Sequence, residues 1–140
     1  MTPFRHSREL AAPPSAVFDA LRNPERLARW WGPDGFTNTF EHFDFQPGGR
    51  WTFTMHGPDG RHYPNEATFT QIEPDRSVRI RHTCAPLFDL HIGLEAIPAG
   101  TRVTWVQQFD DPQVADAVRH IVEPANEQNL SRLARELAAA

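Results

Sequence analysis

Arg50-Trp51-Thr52-Phe53-Thr54-Met55-His56 runs into Gly57-Pro58-Asp59-Gly60 and continues as Arg61-His62. Trp51, Phe53 and Met55 alternate with Thr52, Thr54 and His56. A period of two sends the two sets to opposite faces of a strand. Gly, Pro and Asp together then supply the backbone conformations of a tight turn. The stretch predicts one arm of a hairpin with a single apolar face, and the pattern recurs on both sides of it. Phe36 to Phe45 forms a long strand ahead of it, closed by Pro47-Gly48-Gly49. His62 to Ile72 returns after the turn, with Pro64 at an edge, an end or a bulge because it has no N–H for a ladder. Beyond the Pro74-Asp75 turn, Val78, Ile80 and His82 alternate with Arg79 and Arg81. Phe88, Leu90, Ile92 and Leu94 follow the same rule, and after Pro98-Ala99-Gly100 so do Val103, Trp105, Gln107 and Phe109. Such a meander predicts an antiparallel sheet covered on one side.

The sheet needs a cover, and the ends of the chain provide it. Phe4 to Leu10 is a short extended segment with Phe4, His6, Arg8 and Leu10 on one face. Pro13-Pro14 ends it. Ser15 stands where a helix cap is expected, before a short helix over Ala16 to Leu21. Pro24 suits the first turn of a second helix, Glu25 to Trp31, in which Leu27, Trp30 and Trp31 share a face. The tail is helical from Asp111-Pro112, most strongly over Pro124 to Ala140, with a break expected near Val122 to Pro124 because proline removes a donor. The order is strand, two short helices, about six strands and a long helix, an α+β architecture. One domain over residues 1–140 is expected, since one core usually serves about 100–200 residues.

Composition removes several function classes. Fourteen basic residues, all Arg, face eighteen acidic ones, for a formal charge of −4. Without a basic block, nucleic acid is not an expected partner. No apolar run of about 18 residues is present, so no membrane span is expected. Met1 to Leu10 carries Arg5, Arg8 and Glu9 and no apolar leader core. With Cys84 the single cysteine, a cytoplasmic location is the expectation. Ten Phe and four Trp argue against disorder and for an aromatic interior.

Arg29-Trp30-Trp31-Gly32-Pro33, Phe43-Asp44-Phe45-Gln46-Pro47-Gly48-Gly49-Arg50-Trp51, Gly57-Pro58-Asp59-Gly60 and Thr101-Arg102-Val103-Thr104-Trp105 occur in this order along the chain. In these residues the sequence resembles the SRPBCC, or START-like, superfamily. Within it the chain looks most like the family named for homology to the activator of the heat-shock-protein-90 ATPase. The resemblance covers almost the whole chain. It implies a helix-grip fold, a curved antiparallel sheet of about six to seven strands around a long C-terminal helix, with a cavity between them. Many relatives hold apolar small molecules there, some polyketide cyclases and dehydratases do chemistry there, and many bacterial members have no assigned activity.

A curved sheet and a straight helix leave a gap, filled either by large side chains or by a ligand. Trp51, Phe53, Met55, Phe69, Leu90, Ile92 and Trp105 are expected to face it, with Trp30, Trp31 and Phe36 near its open end. Interlocked rings would give an ordinary packed core. A pocket would be apolar, about 300–1,000 Å³, with a few polar anchors. On the last helix a stripe through Val118, Val122, Asn126, Asn129 and Leu133 carries two asparagines where apolar residues are expected, and Gln107 is a similar misfit on the last strand. A buried unpaired amide costs about 1–3 kcal/mol, so these groups must find partners in the sheet, water or a ligand. The alternative is that Pro124 alters the register and turns both asparagines to solvent.

The reactive side chains are sparse. Seven histidines show no zinc-like spacing, and no metal or cofactor is expected. His82 stands apart because it shares the inward row with Val78 and Ile80, where it could shuttle a proton. His82, Tyr63 and Asn129 are the acid–base and anchoring candidates for an enzyme of cyclase type. No Gly-x-Ser-x-Gly elbow is present, and neither Gly48-Gly49 nor Gly57-Pro58-Asp59-Gly60 opens a helix as a phosphate loop does. The sequence therefore favours a binding protein over an enzyme. The expected partner is a small apolar or aromatic ligand, lined by Trp30, Trp31, Phe36, Trp51, Phe53, Met55, Tyr63, Phe69, His82, Leu90, Trp105, Val122, Asn126, Asn129 and Leu133. Assistance to a chaperone ATPase, and a homodimer through a sheet edge or the Trp30-Trp31 corner, stay open.

Overall fold

Residues 3–139 are described in a computed structural model. The meander predicted from the two-residue period is present as β2 (Thr37–Phe43), β3 (Arg50–His56), β4 (His62–Glu73), β5 (Ser77–His82), β6 (Phe88–Ile97) and β7 (Gly100–Phe109). Together with β1 (Phe4–Leu10) they form one seven-stranded antiparallel sheet in the order β1-β7-β6-β5-β4-β3-β2. Only β1 departs from sequence neighbours. It closes the far edge by pairing with β7, Phe4 opposite Gln107 through Leu10 opposite Thr101. Register breaks between Phe40 and His42 and between Phe69 and Gln71 bend the strands at bulges, which helps the sheet curve. Pro64 pairs with Thr54, in the part of β4 that overhangs β5, where a missing N–H costs no ladder bond on the free side.

The helices are α1 (Pro14–Arg22), α2 (Pro24–Trp30) and α3 (Pro112–Ala139). Ser15 does not cap α1. The extended residue before that helix is Pro13, and no side chain bonds the free N–H groups there. Asn23 does cap α2, its Oδ1 accepting from the N–H of Glu25 at 3.0 Å and of Arg26 at 3.3 Å. Trp31 lies just outside α2 in extended backbone.

The expected break near Pro124 is absent, for α3 runs through it without interruption. Pro124 and His120, whose carbonyl loses its partner, are both exposed, so water can take the released group. Ala140, expected to end this helix, lies outside the described residues, as does Met1.

One face of the sheet is buried under α3. On β7 every second residue from Thr101 to Phe109 is buried. Along α3, Asn126, Asn129, Leu130 and Leu133 form one stripe, and both leucines are fully enclosed. The N-terminal half of the helix is different. Val118 and Val122 are only half-buried and Ile121 is 60% exposed. The helix therefore packs closely along its C-terminal half and again near its start, where Ala115 is buried against Phe4 and Phe109, and leaves a gap under its middle turns. Ion pairs hold the packed half. Glu136, its side chain 10% exposed, accepts from Arg26 and Arg29 of α2, and Glu127 accepts from Arg8 of β1 at 3.1 Å.

Candidate functional site

Where α3 stands off, a cavity of about 300 Å³ remains between helix and sheet. Its floor is the inward row of the central strands: Trp51, Phe53 and Met55 from β3, Asn65 and Ala67 from β4, Ile80 and His82 from β5, Phe88 and Leu90 from β6, Trp105, Gln107 and Phe109 from β7. Its roof is Ile121, Val122, Ala125, Asn126 and Asn129, and Trp31, Gly32 and Pro33 close one end. The aromatic rings do interlock around it. Trp31 packs edge-on against Trp51 at 5.0 Å and lies 5.6 Å from Trp105, and Trp51 stacks on Phe53 at 4.1 Å and on Phe69 at 5.6 Å. Interlocking and vacancy coexist because the rings wall the space without crossing it.

The closing segment is built by α3. Asn129 donates to the Trp30 carbonyl at 2.9 Å and accepts from the Gly32 N–H at 3.1 Å. Gln128 accepts from the Asp34 N–H. One guanidinium, that of Arg132, donates to the carbonyls of Arg29, Trp31, Gly32, Pro33 and Phe36 at 2.8–3.1 Å. Gly32 sits at φ +98, and a Cβ there would meet Met55 Cε at 2.8 Å. The backbone conformation therefore favours glycine here, whereas the Met55 methyl, at the end of a flexible side chain, could move aside. Both asparagines of the stripe are buried, so the solvent-facing alternative does not hold. Their roles differ. Asn129 is committed to backbone, whereas Asn126 donates to Gln107 Oε1 at 3.0 Å on the cavity wall.

His82 is 6% exposed and lines the cavity. Its ring stacks on Phe88 at 4.4 Å. Nδ1 meets the Pro86 carbonyl at 2.8 Å, and Nε2 meets Asn65 Oδ1 at 2.8 Å, with Cys84 Sγ at 3.5 Å. Burial pushes the imidazole below its ordinary value, against the opposing pull of the Pro86 carbonyl. Burial thus favours the neutral ring, whose single N–H goes to the Pro86 carbonyl; Nε2 then accepts, which requires the Asn65 amide to present its nitrogen there. Trp51 Nε1 and Trp105 Nε1 are buried without a partner.

Among the residues expected to line a ligand, Trp31, Trp51, Phe53, Met55, His82, Leu90, Trp105, Val122, Asn126 and Asn129 surround the cavity. Trp30, Phe69 and Leu133 do not. They are 0–1% exposed and sit in the solid core, with the Trp30 indole donating to the Ala20 carbonyl. Phe36 and Tyr63 also stand away from it, their rings 5.9 Å apart, and Tyr63 is 40% exposed at the start of β4. Tyr63, expected to line a ligand, shares the parity of Asn65 and Ala67, but at the end of β4 no roof buries it. Asn65, Phe88 and Phe109 were missed although their parity was inward. Pro86, Ile121 and Ala125 gave no signal, because their place depends on how far α3 lifts. No group of three or more His, Cys, Asp or Glu among the described residues is arranged to hold a metal ion. No helix among them is long and apolar enough to cross a membrane.

A curved sheet gripping a long C-terminal helix over an apolar hollow defines a START-like helix-grip protein. Residues 11–139 match the family described as Activator of Hsp90 ATPase homolog 1-like protein, and the chain belongs to that family. Solved structures of bacterial proteins share the fold. A protein from Nitrosomonas europaea has a TM-score of 0.90 at 22% identity, covering 99% of this chain and 95% of that one. One from Arthrobacter aurescens has a TM-score of 0.89 at 23% identity, covering 99% and 87%. The AHSA1 protein from Silicibacter pomeroyi has a TM-score of 0.81 at 24% identity, covering 99% of both chains. No curated protein matches this sequence.

Proposed function

We propose that this protein binds a small apolar or aromatic molecule in the cavity between the sheet and α3. One observation carries the reading: a pocket of about 300 Å³, open to solvent on one side, whose wall is mostly aromatic and aliphatic side chains. Apolar wall left facing water forgoes burial and packing contacts. A molecule that fills the pocket recovers them. Binding is favoured over catalysis by the state of the polar candidates. Asn129 is used up on backbone, Tyr63 is outside, and both nitrogens of His82 are occupied. A cytoplasmic setting belongs to the same proposal, supported by the lone, unpaired Cys84.

A thermal-shift screen with fatty acids, steroids and polycyclic aromatics tests it, alongside native mass spectrometry of the purified protein. A ligand at about 100 times its Kd stabilises by about 2.7 kcal/mol. At this chain length that raises Tm by about 8 °C. No shift across the panel, and no retained small molecule, would remove the proposal.

A further inference from the structure

The polar equipment of the cavity narrows its ligand. None of the lining residues is Asp, Glu, Lys or Arg, and the single titratable group, His82, is held neutral by burial. An ionised ligand would enter without a counter-charge, which is costly in apolar surroundings. Against this background stand two facing amides, Gln107 on β7 and Asn126 on α3, both 8% exposed. Asn126 Nδ2 donates to Gln107 Oε1 at 3.0 Å. That bond uses one donor and one acceptor of the pair. Gln107 Nε2 and Asn126 Oδ1 have no hydrogen-bond partner among the described residues, and neither is sealed off as the two indole nitrogens are. Exchanging the oxygen and nitrogen of both amides leaves the same result, one unused N–H donor beside one unused carbonyl acceptor.

A hydroxyl group both donates and accepts, so one hydroxyl oxygen can satisfy both. Resting on the binding reading above, we infer that the cavity takes an uncharged, hydroxyl-bearing aromatic molecule, its hydroxyl seated between Gln107 and Asn126 and its rings among Trp31, Trp105 and Leu90. A hydrocarbon of the same shape leaves the two amides facing apolar atoms. A carboxylate adds a second acceptor and a buried charge that nothing on the wall neutralises.

Equilibrium dialysis with 2-naphthol, 2-methylnaphthalene and 2-naphthoate tests this on the whole protein. The first two differ only in hydroxyl against methyl. 2-Naphthol is expected to bind at least about ten-fold more tightly than 2-methylnaphthalene, and 2-naphthoate at least about ten-fold more weakly than 2-naphthol. In Gln107→Leu the preference for naphthol over methylnaphthalene shrinks to about three-fold or less while methylnaphthalene affinity holds or rises. The ligand comparison in the unaltered protein stands even if that variant does not fold. Equal binding of naphthol and methylnaphthalene overturns the inference and leaves the binding reading intact. Equal binding of naphthoate and naphthol overturns the requirement for an uncharged molecule. Failure of all three to bind overturns the binding reading and this inference with it.

Discussion

Replacing Asn129 by leucine separates a structural amide from a ligand-facing one. The side chains are similar in volume, so the cavity term stays small. What changes is hydrogen bonding. The Trp30 carbonyl loses the Asn129 donor at 2.9 Å, and the Gly32 N–H loses the Asn129 acceptor at 3.1 Å. Both backbone groups belong to buried residues. Each buried group left unpaired costs about 1–3 kcal/mol. Two such groups span about 2–6 kcal/mol; the Arg132 guanidinium still ties neighbouring carbonyls, so partial relaxation keeps the sum in the lower part of that span, about 2–4 kcal/mol. At about 3 °C per kcal/mol for a chain of this length, Tm falls by about 6–12 °C. Asn126→Leu gives up one bond to Gln107 on a wall that water or ligand can reach, and its loss stays below about 1 kcal/mol. Urea denaturation followed by tryptophan fluorescence, with the slope compared between variants, measures both. A loss below about 0.5 kcal/mol for Asn129→Leu, or a larger loss for Asn126→Leu, would refute the division of labour between the two asparagines.

Three further outcomes follow from the geometry. Ala125→Leu projects three more carbons into the hollow and raises stability by up to about 2.4 kcal/mol at about 0.8 kcal/mol per buried methylene, while weakening any ligand at least about ten-fold; a destabilised variant would mean the space is already full. Glu136 is held below the usual carboxylate range, first by the hydrogen bond from Arg29, so its stabilisation is complete above the ordinary carboxylate value and fades as pH falls through the depressed folded one. Glu136→Gln is therefore less stable than the parent at neutral pH, and denaturation curves should show the gap closing below about pH 4; a gap independent of pH contradicts the assignment. Burial lowers the His82 value, so the unfolded chain takes up that proton first and stability declines as pH falls from about 6.5 toward the folded value. His82→Gln flattens this slope without abolishing it, since His91 is lowered in the same direction by its own burial; an unchanged slope would show that His82 is not held neutral.

Much of this fold is legible from two signals, the alternation along each strand and the Gly, Pro and Asp turns between them. These are local, and each strand carries its own copy. The inward row from Trp51 through Trp105 follows from parity alone, because a one-residue slip would expose every apolar side chain. Helix caps were less legible: Asn23 and Ser15 look alike in sequence, yet only Asn23 bonds the first turn of a helix. Pro124 misled because the cost of a helical proline depends on which way its side faces, and that is a property of the packed molecule. The site divides in the same way. Residues on strands could be assigned by parity up to strand ends, where Tyr63 escapes burial. Those on α3 could not, since the gap under its middle turns sets which of Ile121, Val122 and Ala125 reach the hollow. Nor could sequence say that Asn129 serves backbone and Asn126 the wall.

Xenon enters apolar space directly and so reports whether a vacancy persists between the sheet and the middle turns of α3. Crystals of the ligand-free protein under xenon pressure should show a bound atom enclosed by Trp31, Ile80, Leu90, Trp105 and Val122. Density for side chains closed over that space, with no xenon in it, would show that the pocket is filled.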